Sequence, residues 1–471
     1  MPEFDLAVIG AGSAGLSVTA AAAQLGLKVA LIERDRMGGD CLNTGCVPSK
    51  ALLAAAHAAQ SARGASRLGI HLPEPRIDWD GVRAHVLGAI AALAPMDSEA
   101  RFHGLGATVL RGTARFVAPD ALSVDGTRLT ARRIVIAAGS RPAVPDIPGL
   151  LSVPFLTSAT LFELGTRPEH LLILGGGPIG LEMAQAHAAL GCRVSVVEAG
   201  AIAAHEEPEL ADGLRQVLAA QGIALHERTH VTEIRPGPIL VTSAGALLSG
   251  SHLLVATGRQ PTLADLDPAA GNVQAGERGI ATDAGLRSLT NWAVFAAGDI
   301  ADPVGIGPRF FTHVGSYHAG IVIRRAIFHL PARIDYAALP RVTYTDPELA
   351  QVGMTEAEAR AAGRLAEVLR WPFAENDRAV ADGRTGGLVK LVVGRRGRIL
   401  GAGILAPGAG EMIGQWSLAI ARRIPLSALA GLIAPYPTRA EAGKRAAGSL
   451  YAKRLFAPRT RWIARALFRL P

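Results

Sequence analysis

Two of the three cysteines stand close together, in Gly38-Gly39-Asp40-Cys41-Leu42-Asn43-Thr44-Gly45-Cys46-Val47-Pro48-Ser49-Lys50. On a helical turn, thiols five positions apart can come within bonding range, although the spacing alone does not guarantee a disulfide. A cysteine at a helix N-terminus has a lowered pKa, which favours the thiolate that attacks or donates charge. The same spacing also suits a structural staple or half of a zinc site. No second Cys or Cys/His pair with ligand spacing occurs, which argues against zinc and leaves no metal site expected. In a reducing compartment a close pair is more often catalytic or metal-binding than a structural staple. Cys192, between Gly191 and an apolar strand, reads as a plain core residue.

Such thiols need an electron source, and the chain carries two segments suited to hold one. The apolar run at 6–9 leads into Gly10-Ala11-Gly12-Ser13-Ala14-Gly15 and an alanine-rich helix to about Leu25. The run at 171–174 leads into Gly175-Gly176-Gly177-Pro178-Ile179-Gly180 and a helix to about Leu190. Each is followed by a short apolar strand ending in an acid, Glu33 in the first copy and Glu198 in the second. One GxGxxG is weak evidence, but strand, turn, helix and downstream acid together form a dinucleotide fingerprint. Glycine lets the backbone approach a pyrophosphate, whose charge meets the free N–H groups of the helix start. The acid accepts hydrogen bonds from the adenosine ribose. Two such sites imply two dinucleotides, most simply FAD and a nicotinamide coenzyme. Glu198 repels a 2′-phosphate and no arginine follows it, so NADH is expected over NADPH.

Further strand ends carry Gly139, Gly258 and Gly298-Asp299. The first two read as close-packed turns leading towards Pro142 and Pro261, as at a boundary between nucleotide domains. Asp299 suits a ribityl hydroxyl, a helix N-cap, or both. After about residue 337 alternating runs suggest an antiparallel sheet, with helical segments near 409–423 and 426–433.

From about residue 4 to 450 the chain resembles the class I pyridine nucleotide-disulfide oxidoreductases, including dihydrolipoamide dehydrogenase, glutathione reductase and mercuric reductase. The stretch GGxCxNxGCVPSK carries most of the resemblance. It implies that Cys41 and Cys46 form a redox-active disulfide, with Cys41 meeting the substrate and Cys46 beside the flavin. It implies further that Lys50 lies near the flavin and pairs with Glu182. Asp40 stands where the family usually has threonine. The family's disulfide reductases also carry His-Pro-Thr-x-x-Glu, supplied by the partner subunit of a homodimer with a shared active site. Here that stretch is Tyr436-Pro437-Thr438-Arg439-Ala440-Glu441, so Glu441 is kept and the His is Tyr436. A phenol with a pKa near ~10 is a poor proton shuttle at neutral pH. Mercuric reductases have tyrosine there, but the vicinal C-terminal cysteines and N-terminal metal-binding domain that accompany it are not found. The implied activity is electron transfer from NADH through FAD and the dithiol to a small acceptor: a metal ion, a quinone or a disulfide. The alternatives are a dihydrolipoamide dehydrogenase with Tyr436 replacing the His, and a low-turnover redox sensor or membrane-docked adaptor.

A chain of 471 residues, 49% hydrophobic and 19% charged, fits a globular enzyme of several domains. The expected architecture is α/β: two Rossmann-like three-layer nucleotide-binding domains plus a C-terminal α+β dimerisation domain. The FAD domain is expected at 1–145 and 263–336, the NAD(P) domain at 146–262 and the dimerisation domain at 337–455. The N-terminus has no export signal and no run spans a bilayer, so a cytoplasmic location is expected. Net charge is +8, yet no basic stripe or motif points to nucleic acid. The tail at 456–471 is a basic amphipathic segment, with Arg461, Arg465 and Arg469 on one helical face and Trp462, Ile463 and Leu467 on another. Docking on its own dimer is the expected use, and peripheral membrane contact through residues 459–471 is the alternative.

Overall fold

The structure is a computed structural model that describes residues 2–470, the Arg454 side chain apart. Near-continuous apolar runs make strands that are buried on both faces, the habit of parallel sheets. Phe4–Ile9 lies between Val29–Glu33 and Thr127–Ile136, parallel to both. Thr108–Arg111 extends one side, and Val294–Ala296 adds to Thr127–Ile136 on the other. The last strand comes from far along the chain, so the first sheet is completed only after a second one has been built. The helix Ser13–Gln24 covers the sheet and packs against Thr312–Val322.

The second sheet has the order Ala224–His226, Arg193–Val197, His170–Leu174, His252–Val255, all parallel. Its covering helix is Pro178–Ala189. Both crossings between the sheets run through a two-stranded ribbon in which Ser140–Pro142 pairs antiparallel with Arg259–Pro261. Gly139 and Gly258 precede these strands at φ +66° and +126°, but a Cβ on either would meet nothing within 4 Å. The expectation of close-packed turns is thus corrected. Among the protein's own atoms, positive φ and not close packing is what calls for glycine at both.

The third sheet is antiparallel and five-stranded, ordered Pro340–Thr343, Glu348–Gly353, Ile399–Ala406, Leu388–Gly394, Leu365–Pro372. Ile399–Ala406 is buried along its whole length because its two faces meet different partners. Ala402, Ile404 and Ala406 join Ile413 and Trp416 of the helix Ala409–Ala421 in one core. Leu405 points the other way, into the core of the second sheet with Leu210. On that face Lys390, opposite Gly403, is buried with its Nζ 2.8 Å from Glu207, 3.0 Å from Glu356 and 3.2 Å from Glu209. The charge cluster fixes the C-terminal sheet on the helix Pro208–Ala220. The basic tail forms the helix Pro458–Leu467, none of whose side chains is buried. Among the described residues, no helix is long and apolar enough to cross a membrane.

Candidate active site

Both glycine turns fold alike, and the reason is steric. Gly10 has φ +101°, and a Cβ on it would lie 2.5 Å from the Ala137 carbonyl oxygen. A Cβ on Gly15 would lie 1.9 Å from the Gly10 oxygen. Gly12 between them faces open space, with nothing within 4 Å of its would-be Cβ. The second turn repeats the pattern, with Gly175 and Gly180 tightly packed and Gly177 open. A helix start therefore offers its backbone N–H groups to an anion at each open glycine. Glu33 Oε2 accepts from Ala11 N at 2.6 Å and Glu198 Oε2 accepts from Gly176 N at 2.6 Å. Their second oxygens accept from Asp35 N and Gly200 N, both at 2.8 Å. Each carboxylate is thus locked at the end of its strand, in reach of a ribose. A cleft lined by Gly10, Glu33, Arg34, Gly112 and Ala138 opens beside the first. These residues fit two dinucleotides, the first FAD and the second NAD(P)H.

The far end of the first cradle carries a polar cluster. Asp299 Oδ2 accepts from Ser140 Oγ at 2.5 Å and lies 3.7 Å from Arg259 Nε. Burial raises the Asp299 pKa. The carboxylate caps no helix, so of its two expected uses the N-cap is not observed. Arg259 also donates to Asp40, the residue that replaces the family's threonine, in an ion pair. Neither the role of Arg259 nor this pair was foreseen, because 219 positions separate the partners.

The cysteines lie on two consecutive helices. Gly39–Asn43 holds Cys41, and Cys46 opens Cys46–Arg63. Gly39, at φ +59°, lets the first of these approach the FAD cradle, since a Cβ there would lie 2.8 Å from Gly12 Cα. Asn43 Nδ2 donates to the Met37 and Gly39 carbonyls at 2.9 Å and braces the loop. Both cysteines are free thiols in this structure. The Cys41 thiol hydrogen-bonds Cys46, and this contact is the main cause that brings the Cys46 pKa down to about 6. Thr312 Oγ1, 3.2 Å from Cys46 Sγ, and the Lys50 ammonium lower it further. Cys41 is displaced upwards, first by its bond to Cys46 and then by burial. The two thiols titrate as a coupled pair, and the surroundings push Cys46 towards the thiolate and Cys41 towards the thiol. Cys192 is buried, which pushes its thiol up to about 11, as suits a core residue.

Lys50 stands one turn beyond Cys46, with Nζ 2.8 Å from Glu182 Oε2. Glu182 is 4% exposed, and its Oε1 accepts from Tyr344 N at 3.0 Å. The Tyr344 ring lies 4.4 Å from the Lys50 ammonium, a cation–π contact. Thr312 and Tyr344 carry no local signal in the sequence; only the long-range fold brings them here. Tyr436 and Glu441 are elsewhere. Tyr436 is 69% exposed, and its hydroxyl donates to Asp377 Oδ2 at 2.9 Å. Glu441 opens the helix Glu441–Leu455 and pairs with Arg445 at 3.2 Å. Among the described residues, no group of three or more His, Cys, Asp or Glu side chains is placed to hold a metal ion.

The same layout recurs in known proteins. The family model described as pyridine nucleotide-disulphide oxidoreductase matches residues 4–354, and that family's dimerisation domain matches residues 339–447. The chain is 40% identical over 462 residues to a mercuric reductase of Streptomyces lividans, covering 94% of this chain and 95% of that one. It is 33% identical over 460 residues to a dihydrolipoyl dehydrogenase of Geobacillus stearothermophilus, covering 94% and 96%. Among solved structures, the Cu(II) complex of the HOCl-induced flavoprotein disulfide reductase RclA from Escherichia coli superposes with TM-score 0.83. That protein is 28% identical, with 93% of this chain and 98% of the other covered. With its two nucleotide cradles, its cysteine pair and both family domains matched, the chain belongs to the pyridine nucleotide-disulfide oxidoreductases, enzymes that use FAD and NAD(P)H.

Proposed function

We propose that the protein passes electrons from NADH, by way of FAD and the Cys41/Cys46 pair, to a small thiophilic acceptor, with a metal ion favoured over a quinone or a disulfide. The observation that carries this reading is the place of Cys46 at a helix start, 3.2 Å from Thr312 Oγ1 and one turn from Lys50, surroundings that lower its thiol pKa. Bound FAD supplies the relay between the nicotinamide and sulfur. This chain's residues do the rest. The cradle at Gly12 would hold the pyrophosphate, Glu33 and Asp299 would orient the ends of the dinucleotide, and Lys50 with Glu182 sets the charge around Cys46. In the reduced state the two sulfurs carry two transferable electrons. When Cys41 and Cys46 close an S–S bond, they release both electrons to the acceptor and their remaining proton to solvent. A divalent ion can take that electron pair without any proton being placed on it.

Tyr436 supports the choice of acceptor. By the family resemblance, this residue and Glu441 of one subunit would stand at the Cys41 site of the other. The Asp377 carboxylate beside the hydroxyl raises its pKa above the ordinary phenol value. It therefore supplies no base at neutral pH, and thiol–disulfide interchange needs one. The relatives named mercuric reductase and the Cu(II) complex of RclA point to metals as well. Glu198, carrying its charge where a 2′-phosphate would sit, favours NADH over NADPH.

The test is NADH-driven turnover screened over thiophilic metal ions, quinones and low-molecular-weight disulfides. The best acceptor is expected to lose at least ~10³-fold in turnover in the Cys41→Ser/Cys46→Ser variant. Undiminished turnover in that variant contradicts the proposal.

A further inference from the structure

The net charge of +8 is not spread over the molecule. Residues 442–471 hold eight Lys and Arg and no Asp or Glu, which leaves 40 basic and 40 acidic residues in 1–441. The body is formally neutral, and the whole excess resides in its last two helices. In Pro458–Leu467 no side chain is buried. Trp462 is 71% exposed, Leu467 59% and Phe468 92%. Phe456, just upstream, is 60% exposed. At 100° per residue Arg461 and Arg465, one turn apart, share a face, Ile463 and Leu467 share another, and Trp462 lies between the two. Among the described residues, Trp462, Leu467 and Phe468 are left largely exposed, and Ile463, 39% exposed, less so.

We propose that residues 456–470 dock the enzyme peripherally on an anionic lipid surface. The apolar face enters the boundary between headgroups and acyl chains, while Arg461, Arg465 and Arg469 meet lipid phosphates. The occupant follows from charge. A second copy of this chain offers a body of no net charge and another basic segment, so its overall charge gives the arginines no attraction. An anionic bilayer supplies both the counter-charge and an apolar interior. At about 10 residues the helix lies in the surface plane and does not cross it. The effect is to bring a flavoenzyme to the membrane without altering its active site, so the inference does not depend on which acceptor is used.

The experiment is flotation of the full-length, FAD-loaded enzyme with vesicles of mixed phosphatidylglycerol and phosphatidylcholine, compared with phosphatidylcholine alone. Binding is expected only to the anionic vesicles, to fall in 0.5 M salt on the order of tenfold, and to be lost on removal of residues 457–471. The Arg461→Gln/Arg465→Gln/Arg469→Gln variant is expected to bind on the order of a hundredfold more weakly, with NADH-to-dye activity unchanged. Three results overturn the proposal: equal recovery with both vesicle types or with neither, dissociation of the dimer on truncation, and preference for duplex DNA over anionic vesicles at equal phosphate. The second would assign the helix to the subunit interface and the third to nucleic acid.

Discussion

Lys50 Nζ and Glu182 Oε2 meet at 2.8 Å, which ties the helix that starts at Cys46 to the helix that starts at the second glycine turn. The thiol and the nicotinamide cradle are thereby held in one rigid frame. The same pair surrounds Cys46 with one charge of each sign, and the two act on it in opposite directions. The ammonium favours the thiolate and the carboxylate opposes it.

Two single substitutions should therefore move the Cys46 titration in opposite senses. In the wild type the thiolate is present above about pH 6 and is lost as pH falls through that value. Lys50→Met removes a stabilising cation, so the midpoint should rise. Glu182→Gln removes a destabilising anion and keeps an acceptor for Tyr344 N, so the midpoint should fall. Thiolate ultraviolet absorbance followed against pH reads both. A shift of the same sign in the two variants would show that the pair acts through packing and not through charge.

Tyr436 sets the second expectation. If the missing base is what prevents dithiol chemistry, Tyr436→His should raise dihydrolipoamide-to-NAD turnover by about 10²-fold from a low starting level. Steady-state assay of the two enzymes decides it. Near-normal dihydrolipoamide turnover in the wild type would favour the dehydrogenase reading.

The proposed preference for NADH rests on Glu198, whose oxygens are held by Gly176 N and Gly200 N. Glu198→Gln keeps an acceptor there and removes the charge. The ratio of kcat/KM for NADH over NADPH should exceed one in the wild type and fall on the order of tenfold in the variant. An unchanged ratio would place the discrimination elsewhere.

What the sequence disclosed and what it hid have a common physical cause. Gly10, Gly12, Gly15 and Glu33 were legible because a strand, a tight turn and a helix start are adjacent in the chain and obey backbone sterics. Gly175, Gly177, Gly180 and Glu198 repeat that logic, and Cys41 with Cys46 stands out by spacing. The partners of these residues were not legible. Thr312 lies 266 positions from Cys46, and the Tyr344 ring reaches Lys50 only through the C-terminal sheet. Arg259 was visible only as a residue after a strand-end glycine, yet it links Asp40, Ser140 and Asp299. Gly139 and Gly258 read as close-packed because each ends an apolar strand on the way to a proline, Pro142 or Pro261, as at a boundary between nucleotide domains. The ribbon they begin instead leaves them open. The uninterrupted burial of Ile399–Ala406 likewise depends on a helix nearly two hundred positions earlier in the chain.

In the proposed mechanism Cys46 is the sulfur that faces the flavin as a thiolate. Anaerobic titration of the FAD-loaded enzyme with NADH, followed by visible absorbance, tests it most directly. A long-wavelength thiolate–flavin band should grow in the wild type, fade as pH drops below about 6, and be absent from Cys46→Ser. The same band persisting in Cys46→Ser would contradict the account.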